Sequence, residues 1–175
     1  MTKQRESDTR PEPKASRPVM PNGYGLPETD EGLLPWSWAV EQLEQARNYW
    51  FCTTRPDGRP HAVPAWAAWL DGALYFDGSP ETRRARNLAA NPAITVHLES
   101  GDEVVILDGE AHEAGKPERA FAERLAAAFA AKYGDYRPSP DQWDEGGLWL
   151  MRPHVALGWS EFPKNATRWR FPKGA

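Results

Sequence analysis

The sequence predicts a mainly β protein, in which short antiparallel strands form a barrel or sandwich and three helices are inserted. Runs of β-branched and aromatic residues recur about every 8–12 residues, a spacing typical of barrels and sandwiches. Short turns such as Pro56–Arg59 and Asp71–Gly72 join these runs and suit neighbouring antiparallel strands. Neither GxGxxG nor GxxxxGK[ST] occurs, so we do not expect a doubly wound nucleotide-binding sheet.

Composition argues against several classes of protein. A chain of 175 residues is long enough for one domain with a substantial core. Its net charge of −4 argues against nucleic-acid binding, which usually needs a strongly basic domain. Cys52 is the single cysteine, so no internal disulfide can form and a cytoplasmic location is the simplest expectation. Since no apolar run approaches the roughly 20 residues that cross a bilayer, we expect no membrane partner.

Residues 1–34 are expected to form a disordered or loosely ordered arm, ahead of a domain that spans residues 35–175. Prolines and charged residues crowd this arm, and apolar side chains are few. Such a segment buries too little surface to offset the entropy lost on ordering. The arm could still wrap around a partner subunit.

The first half of the domain opens with a helix over Pro35–Arg47, where Trp36, Val40 and Leu43 share one face. Three β-type runs follow, and the third ends at a glycine. The predicted strands are Tyr49–Arg55, His61–Leu70 and Ala73–Asp77.

The second half repeats this alternation. The longest helix is expected from Gly115 to Tyr133, with one apolar face and Gly134 as its end. That face comprises Phe121, Leu125, Ala128, Phe129 and Tyr133. The remaining predicted strands are Ala93–Glu99, Glu103–His112, Gly147–Arg152, Val155–Phe162 and an edge strand at Thr167–Phe171. Gly147–Phe162 could also be one strand broken at Pro153.

A helix rich in arginine follows the third strand. Ser79 is predicted as its N-cap and Pro80 as its first residue, and Asn91-Pro92 ends it. The helix N-terminus together with nearby arginines makes a plausible phosphate site. The alternative is a solvated basic helix face, and this stretch alone does not choose between them.

The second strand is unusual because Pro64 lies in its middle, where proline is confined to sheet edges or bulges. Alanines surround it and would let a flat ring approach the backbone. The alternative is an edge strand that packs small residues against a helix.

The common catalytic motifs are missing from the sequence. There is no HExxH, no GxSxG and no cysteine–histidine pair at useful spacing. Each of the four histidines is expected to be an ordinary strand residue. A phosphate site and many aromatic residues without an acid–base set point to chemistry carried by a bound cofactor.

These segments together resemble the pyridoxamine 5′-phosphate oxidase-like family of split-barrel flavoproteins. The resemblance lies in Thr53–Phe76, Arg83–Glu99 and Ala166–Phe171. It implies a six-stranded antiparallel split β-barrel with inserted helices, assembled as a homodimer with cofactor sites at the subunit interface. The implied cofactor is FMN, with the deazaflavin coenzyme F-420 as the alternative.

Carried onto this sequence, the resemblance implies a set of binding residues. The cofactor ring or ribityl chain would face Val63, Pro64, Ala65 and Trp66. The ribityl and phosphate end would be wrapped by Phe76, Asp77, Gly78 and Ser79. Arg84 stands where many relatives have lysine and would bind the phosphate, with Arg83 and Asn87 nearby. The partner chain would close the pocket with Trp143, Arg168, Trp169 and Arg170.

The function implied by the resemblance is a flavin-type oxidoreductase that transfers hydride to or from a small molecule. No metal is expected. The motif that binds the pyridoxal substrate in true pyridoxamine 5′-phosphate oxidases is not evident, so that substrate is not expected. Two alternatives stay open: a carrier of flavin, deazaflavin or haem without turnover, and a scaffold that has lost its cofactor.

Overall fold

A computed structural model describes residues 12–172 of the chain. In this part the protein has three α-helices, one short 3-10 helix and nine strands in one sheet. The helices are α1 (Trp36–Gln45), α2 (Arg83–Ala90) and α3 (Arg119–Tyr133), and the 3-10 helix is Pro140–Trp143. The strands are β1 (Lys14–Ser16), β2 (Tyr49–Thr54), β3 (Pro60–Ala65), β4 (Ala68–Leu70), β5 (Ala73–Asp77), β6 (Ala93–His97), β7 (Val104–Glu113), β8 (Leu148–Trp159) and β9 (Thr167–Arg170).

Every strand pair is antiparallel, which confirms the predicted mainly β class with inserted helices. The main path through the sheet runs β1-β9-β8-β7-β6-β2-β3. The long strand β8 pairs with β7 on one side. On its other side it pairs with β5 in its first part and β9 in its last part. The sheet therefore divides at β8, and β5 carries β4 with it.

The predicted strand His61–Leu70 is wrong, because the chain forms two strands there. The break falls between Ala65 and Ala68. The hydroxyl of Tyr133 in α3 accepts a hydrogen bond from the main-chain nitrogen of Ala67 and donates one to its oxygen, both at 2.9 Å. Ala67 is thereby taken out of any strand ladder. Pro64 lies before the break, on a strand that pairs only with β2 among those described, as proline requires.

The structure corrects the expectation of a loosely draped arm for residues 12–34. Lys14–Ser16 forms β1 beside β9, so β9 is not the sheet edge that the sequence predicts. The guanidinium of Arg17 donates hydrogen bonds to four main-chain oxygens. These belong to Thr29, Glu31, Lys164 and Ala166. Strand pairing and the hydrogen bonds of one arginine thus order this segment, although it buries little apolar surface. Residues 1–11, also assigned to the arm, lie outside the described part of the chain.

Two groups of buried side chains form the core. The larger lies among β2, β5, β6, β7, β8 and β9 and includes Phe51, Phe76 and Trp169. The smaller lies between α3 and the β4–β5 hairpin and includes Phe129 and Trp143. Among residues 12–172, no helix is both long and apolar enough to cross a membrane.

Candidate cofactor-binding site

The ends of β3 and β5 meet at a cavity of about 350 Å³, which we call the aromatic cavity. Its walls are Ala65, Trp66, Asp77, Phe129 and Tyr136. Ala65, Trp66 and Asp77 belong to two separate segments that the sequence predicts to bind one cofactor. The fold places these two segments at one site, with α3 and the loop after it as the opposite wall.

Trp66 is the main aromatic surface of this cavity. Its side chain is large and 40% exposed, which is unusual for tryptophan in a folded chain. Its ring is stacked on that of Tyr133, with centroids 4.5 Å apart and planes 14° from parallel. The ring of Tyr136 lies 5.7 Å away at a tilt of 53°. The indole is therefore held in place and can stack with a further flat ring.

Asp77 connects the cavity to the loop after α3. Its carboxylate accepts hydrogen bonds from Trp143 Nε1 at 2.6 Å, Tyr136 Oη at 2.6 Å and Gln142 Nε2 at 3.1 Å. Burial, followed by the hydrogen bond to Asp77, raises the pKa of Tyr136 to about 12, so this phenol stays neutral. The Asp77 carboxylate thus holds Tyr136 and the loop after α3 in place beside the cavity.

The helix α2 begins later than the sequence predicts. Thr82, not Ser79, is the N-cap, and its side-chain oxygen accepts a hydrogen bond from the main-chain nitrogen of Ala85 at 3.2 Å. Ser79 instead starts a turn, since its hydroxyl oxygen accepts from the nitrogen of Glu81 and its main-chain oxygen from that of Thr82. The first helical residue is therefore Arg83, whose side chain is exposed and has no hydrogen-bond partner among the described residues.

Arg84, which the sequence predicts to bind the phosphate, has its side chain turned into the protein and is buried. Its guanidinium carbon lies 4.8 Å from the ring centroids of both Phe51 and Phe76. Nη2 donates to the main-chain oxygen of Asp77 at 2.7 Å. Burial lowers the pKa of Arg84, and the Asp77 carboxylate partly opposes this effect. A Cβ atom at position 78 would lie 3.0 Å from Nη2, so Gly78 leaves room for this arrangement.

Four other residues predicted to bind the cofactor lie in the core or on the edge strand β3. Asn87 is fully buried, and its Nδ2 donates to Thr53 Oγ1 at 2.9 Å, which holds α2 against β2. Phe76 is fully buried, so its side chain belongs to the core and only its backbone is near the site. Val63 and Pro64 lie on edge strand β3 and do not line the aromatic cavity.

Two tryptophans predicted to reach across from a partner chain are buried in their own chain. Trp143 is 1% exposed and bound to Asp77, and Trp169 is fully buried against Trp36, with ring centroids 5.4 Å apart. Both side chains therefore pack within their own chain, and a contribution of either to the site of a second subunit stays a prediction. Arg168 donates to the hydroxyl of Ser16 in β1, and Arg170 is exposed. Contacts of these two arginines with a partner stay a prediction.

A family model for pyridoxamine 5′-phosphate oxidase matches residues 38–154, well over half of the chain. The chain belongs to the pyridoxamine 5′-phosphate oxidase family. Its split-barrel fold is therefore the one that the sequence predicts. Since the matched region includes β3, β5 and α2, the cavity and the arginine helix are both part of the family domain.

Solved structures agree on the fold of this family member. An F420 reductase is similar over 66% of this chain and 93% of its own, with 24% identity and a TM-score of 0.51. The haem storage protein HutZ of Vibrio cholerae is 18% identical over 66% of this chain and 87% of its own, with a TM-score of 0.53. A FAD-binding protein of Mesorhizobium loti is 18% identical over 79% of this chain and 96% of its own, with a TM-score of 0.55. No curated protein matches the sequence.

The site of this family member fits both ends of a phosphorylated ring cofactor. The partly exposed indole of Trp66 in the cavity wall suits a flat ring, and the aromatic cavity has room beside it. Thr82 caps the N–H of Ala85, but no described group accepts from the main-chain N–H groups of Arg83 and Arg84, and the Arg83 side chain is exposed next to them, which suits a phosphate. Asp77 joins the two ends, because its carboxylate lines the cavity while its main-chain oxygen binds Arg84.

Sequence reasoning missed three residues of the site. Phe129 and Tyr136 line the aromatic cavity, and Gln142 binds Asp77. The loop over 135–146 stands out in the sequence by its Pro, Asp and aromatic residues, which was the one available signal. Its hydrogen bonds to Asp77 join residues about 60 positions apart, and no local pattern encodes such pairing.

A half-buried lysine lies behind the Trp66–Tyr133 stack. Lys132 Nζ donates to the main-chain oxygens of Leu43 and Ala67, at 3.1 and 3.5 Å, and to Tyr49 Oη. Burial lowers the pKa of Lys132 to about 8, although the Glu44 carboxylate acts in the opposite direction. Burial raises the pKa of Tyr133 to about 12 and that of Tyr49 as well.

These shifts predict a stability maximum at alkaline pH. Between about pH 8 and 10 the unfolded chain keeps the lysine proton that the folded protein has lost, so the free energy of unfolding rises with pH. Above about pH 10 the unfolded tyrosines ionise first, and it falls again. We expect the free energy of unfolding, measured with urea, to rise by on the order of 1 kcal/mol between these two pH values, after discounting for the partial exposure of Lys132. A Lys132→Met variant should lack this rise; an unchanged rise in the variant would contradict the assignment.

Proposed function

We propose that the protein is a flavin-type oxidoreductase that binds FMN, or F-420 in its place, with the ring at Trp66 and the phosphate at the start of α2. The single observation that carries the proposal is the convergence of β3 and β5 on the aromatic cavity, where Asp77 of the lining is hydrogen-bonded through its main-chain oxygen to Arg84 in the first turn of α2. When bound, the ring would supply hydride transfer to or from a small molecule. The protein would bind and orient the reactants and exclude water.

The side chains around the cavity support chemistry on a cofactor rather than on the protein. Only Asp77 and Tyr136 of the lining residues are ionisable, and they are hydrogen-bonded to each other. Neither is placed as a free general base or nucleophile. Hydride transfer on a bound ring needs no such group from the protein, which is why this arrangement suits it.

A second copy of the chain is part of the proposal. Strand β3 has one unpaired edge among the described strands, and it carries the exposed Pro64 and leads to Trp66. An open strand edge with an exposed aromatic residue is a surface that proteins usually cover. We propose a homodimer that covers this edge, with Arg168 and Arg170 as candidate contributors to the partner's site.

A carrier without turnover is the second candidate function. The same lack of a free acid or base that suits hydride chemistry also suits plain binding. The similarity to the haem storage protein HutZ, at 18% identity, concerns the fold and leaves flavin, deazaflavin and haem open as cargo. Reduction of the bound chromophore by a donor, with repeated turnover, would distinguish the enzyme from the carrier.

Arg83→Ala is expected to weaken FMN or F-420 binding by about tenfold, because a charge-assisted hydrogen bond to the phosphate is lost. The unfolding temperature should not change, since the Arg83 side chain is exposed and without a described partner. Arg86→Ala is the matched control, as Arg86 is exposed on the same helix one turn away.

The measurement is a titration of each variant with FMN, F-420 and haem, followed by absorbance. Sedimentation velocity of the loaded protein should give the mass of two chains. Equal affinity of the Arg83 and Arg86 variants would reject the phosphate position. If none of the three cofactors bound, the proposed function would be rejected.

A further inference from the structure

The aromatic cavity carries a charge that the proposed cofactor site does not by itself require. Of its five lining residues, Asp77 is the one with a carboxylate, and the phenol of Tyr136, whose pKa is raised, stays neutral. Ala65, Trp66 and Phe129 supply apolar and aromatic surface. The cavity therefore offers flat stacking faces around one carboxylate.

The hydrogen bonds of Asp77 do not neutralise this carboxylate. Its three donors are an indole, a phenol and an amide, all uncharged. Asp77 Oδ1 accepts one of these bonds and Oδ2 accepts two, which leaves acceptor capacity on Oδ1 for an N–H group of a ligand.

Three cations lie close enough to matter. Arg84 is the nearest to Asp77 and interacts with its carboxylate, but its guanidinium binds the main-chain oxygen and packs against the rings of Phe51 and Phe76, outside the cavity lining. Lys132 Nζ lies 5.9 Å from the Tyr133 ring, where main-chain oxygens hold it, and it does not line the cavity either. Arg47 lies 5.8 Å from the ring of Trp66, and its side chain is exposed. Solvent screens an exposed cation more than a carboxylate at the cavity wall. Since none of these cations lines the cavity, Asp77 is the charged group in its wall and the one that a bound ring meets directly.

We propose that the aromatic cavity binds flat rings that are neutral or positively charged and disfavours negatively charged ones, and that Asp77 sets this preference. The ring stacks on Trp66, and an N–H or a positive charge on it faces Asp77. The proposal rests on the proposed function, since such a ring belongs either to the cofactor or to its substrate. It narrows the substrate class to planar, uncharged or cationic ring compounds.

The test uses three probes with one two-ring frame: N-methylquinolinium, quinoline and quinoline-4-carboxylate. Isothermal titration calorimetry of the wild-type protein should show the cation and the neutral ring binding at least about tenfold more tightly than the carboxylate. Raising the salt from 0.05 to 1 M shortens the screening length from about 14 Å to about 3 Å, and this should reduce the ratio. Equal or tighter binding of the carboxylate, the result expected if Arg47 governs the site, would overturn the proposal, as would absence of binding by all three probes.

Asp77→Asn keeps the shape of the side chain and should reduce the ratio to less than about threefold. Asp108→Asn removes an equal charge from an exposed residue that does not line the cavity, and should leave the ratio unchanged. Trp66→Ala should weaken all three probes by about tenfold, whereas Trp159→Ala should not, because Trp159 packs against Phe162 instead. An unchanged ratio in Asp77→Asn would overturn the role of Asp77. The salt series on the wild-type protein decides the question if this variant does not fold.

Loading with FMN or F-420 separates the two sources of the ring. Probe binding that disappears in the loaded protein assigns the cavity to the cofactor ring, and probe binding that persists assigns it to the substrate. Probe selectivity in a protein that binds no cofactor would support the cavity and reject the proposed function. A protein that loads cofactor but shows no selectivity between probes would keep the proposed function and reject this inference.

Discussion

Arg84→Ala is expected to lower the free energy of unfolding by about 2–4 kcal/mol. The substitution leaves the main-chain oxygen of Asp77 without its donor and removes the cation that packs against the rings of both Phe51 and Phe76. It also leaves a gap beneath Gly78, which lies against the guanidinium. Urea unfolding followed by circular dichroism measures the effect.

Two further variants identify its cause. Arg84→Met keeps most of the volume without a buried charge, so it should be less destabilising than alanine. Arg86→Ala, exposed on the same helix, should change the free energy of unfolding by less than about 0.5 kcal/mol. If Arg84→Ala abolished cofactor binding without any loss of stability, Arg84 would be a phosphate ligand after all, and the division of roles between Arg83 and Arg84 would be wrong.

Gly109→Ala is expected to be at least as damaging, at about 3 kcal/mol or more. Position 109 lies where the register between β7 and β8 shifts. A Cβ atom there would lie 2.0 Å from the main-chain oxygen of Arg152 and 2.9 Å from Pro153 Cα. Since these are backbone atoms, the two strands would have to move apart.

The matched control is Gly101→Ala, in the turn before β7, where an added Cβ meets nothing within 4 Å. It should change the free energy of unfolding by less than about 0.5 kcal/mol. Thermal unfolding of both variants is the measurement. Equal stability of the Gly109 and Gly101 variants would show that the register shift does not need glycine.

Pro153 shows why this part of the fold was only partly predictable. The sequence predicts either two strands or one strand broken at this proline. The structure has one continuous strand, β8, because the register shift opposite Gly109 accommodates the residue without a hydrogen-bond donor. The proline signals an irregularity, but the response of the neighbouring strand depends on a glycine more than 40 residues away.

The candidate site, too, could be predicted only in part from the sequence. Pattern reasoning finds the proline-bearing strand and the arginine helix, because each is a local feature. It assigns the phosphate to Arg84, since neighbouring arginines look alike in a sequence. The start of α2 at Arg83 decides which of them is exposed and which is turned into the core.

Alternation, turn residues and helix-stop signals act over a few residues, so the antiparallel class, most of the strands and helices, and the family could be predicted from the sequence. Three features could be seen only in the folded chain. Tyr133 breaks the predicted strand His61–Leu70 at Ala67, Arg17 attaches the N-terminal arm to the backbone at Lys164, and Asp77 joins the loop after α3 to the cavity. Each of these depends on one hydrogen-bonding side chain that reaches a distant part of the chain. Such contacts depend on where the packed elements place a side chain, and local propensity carries no information about that.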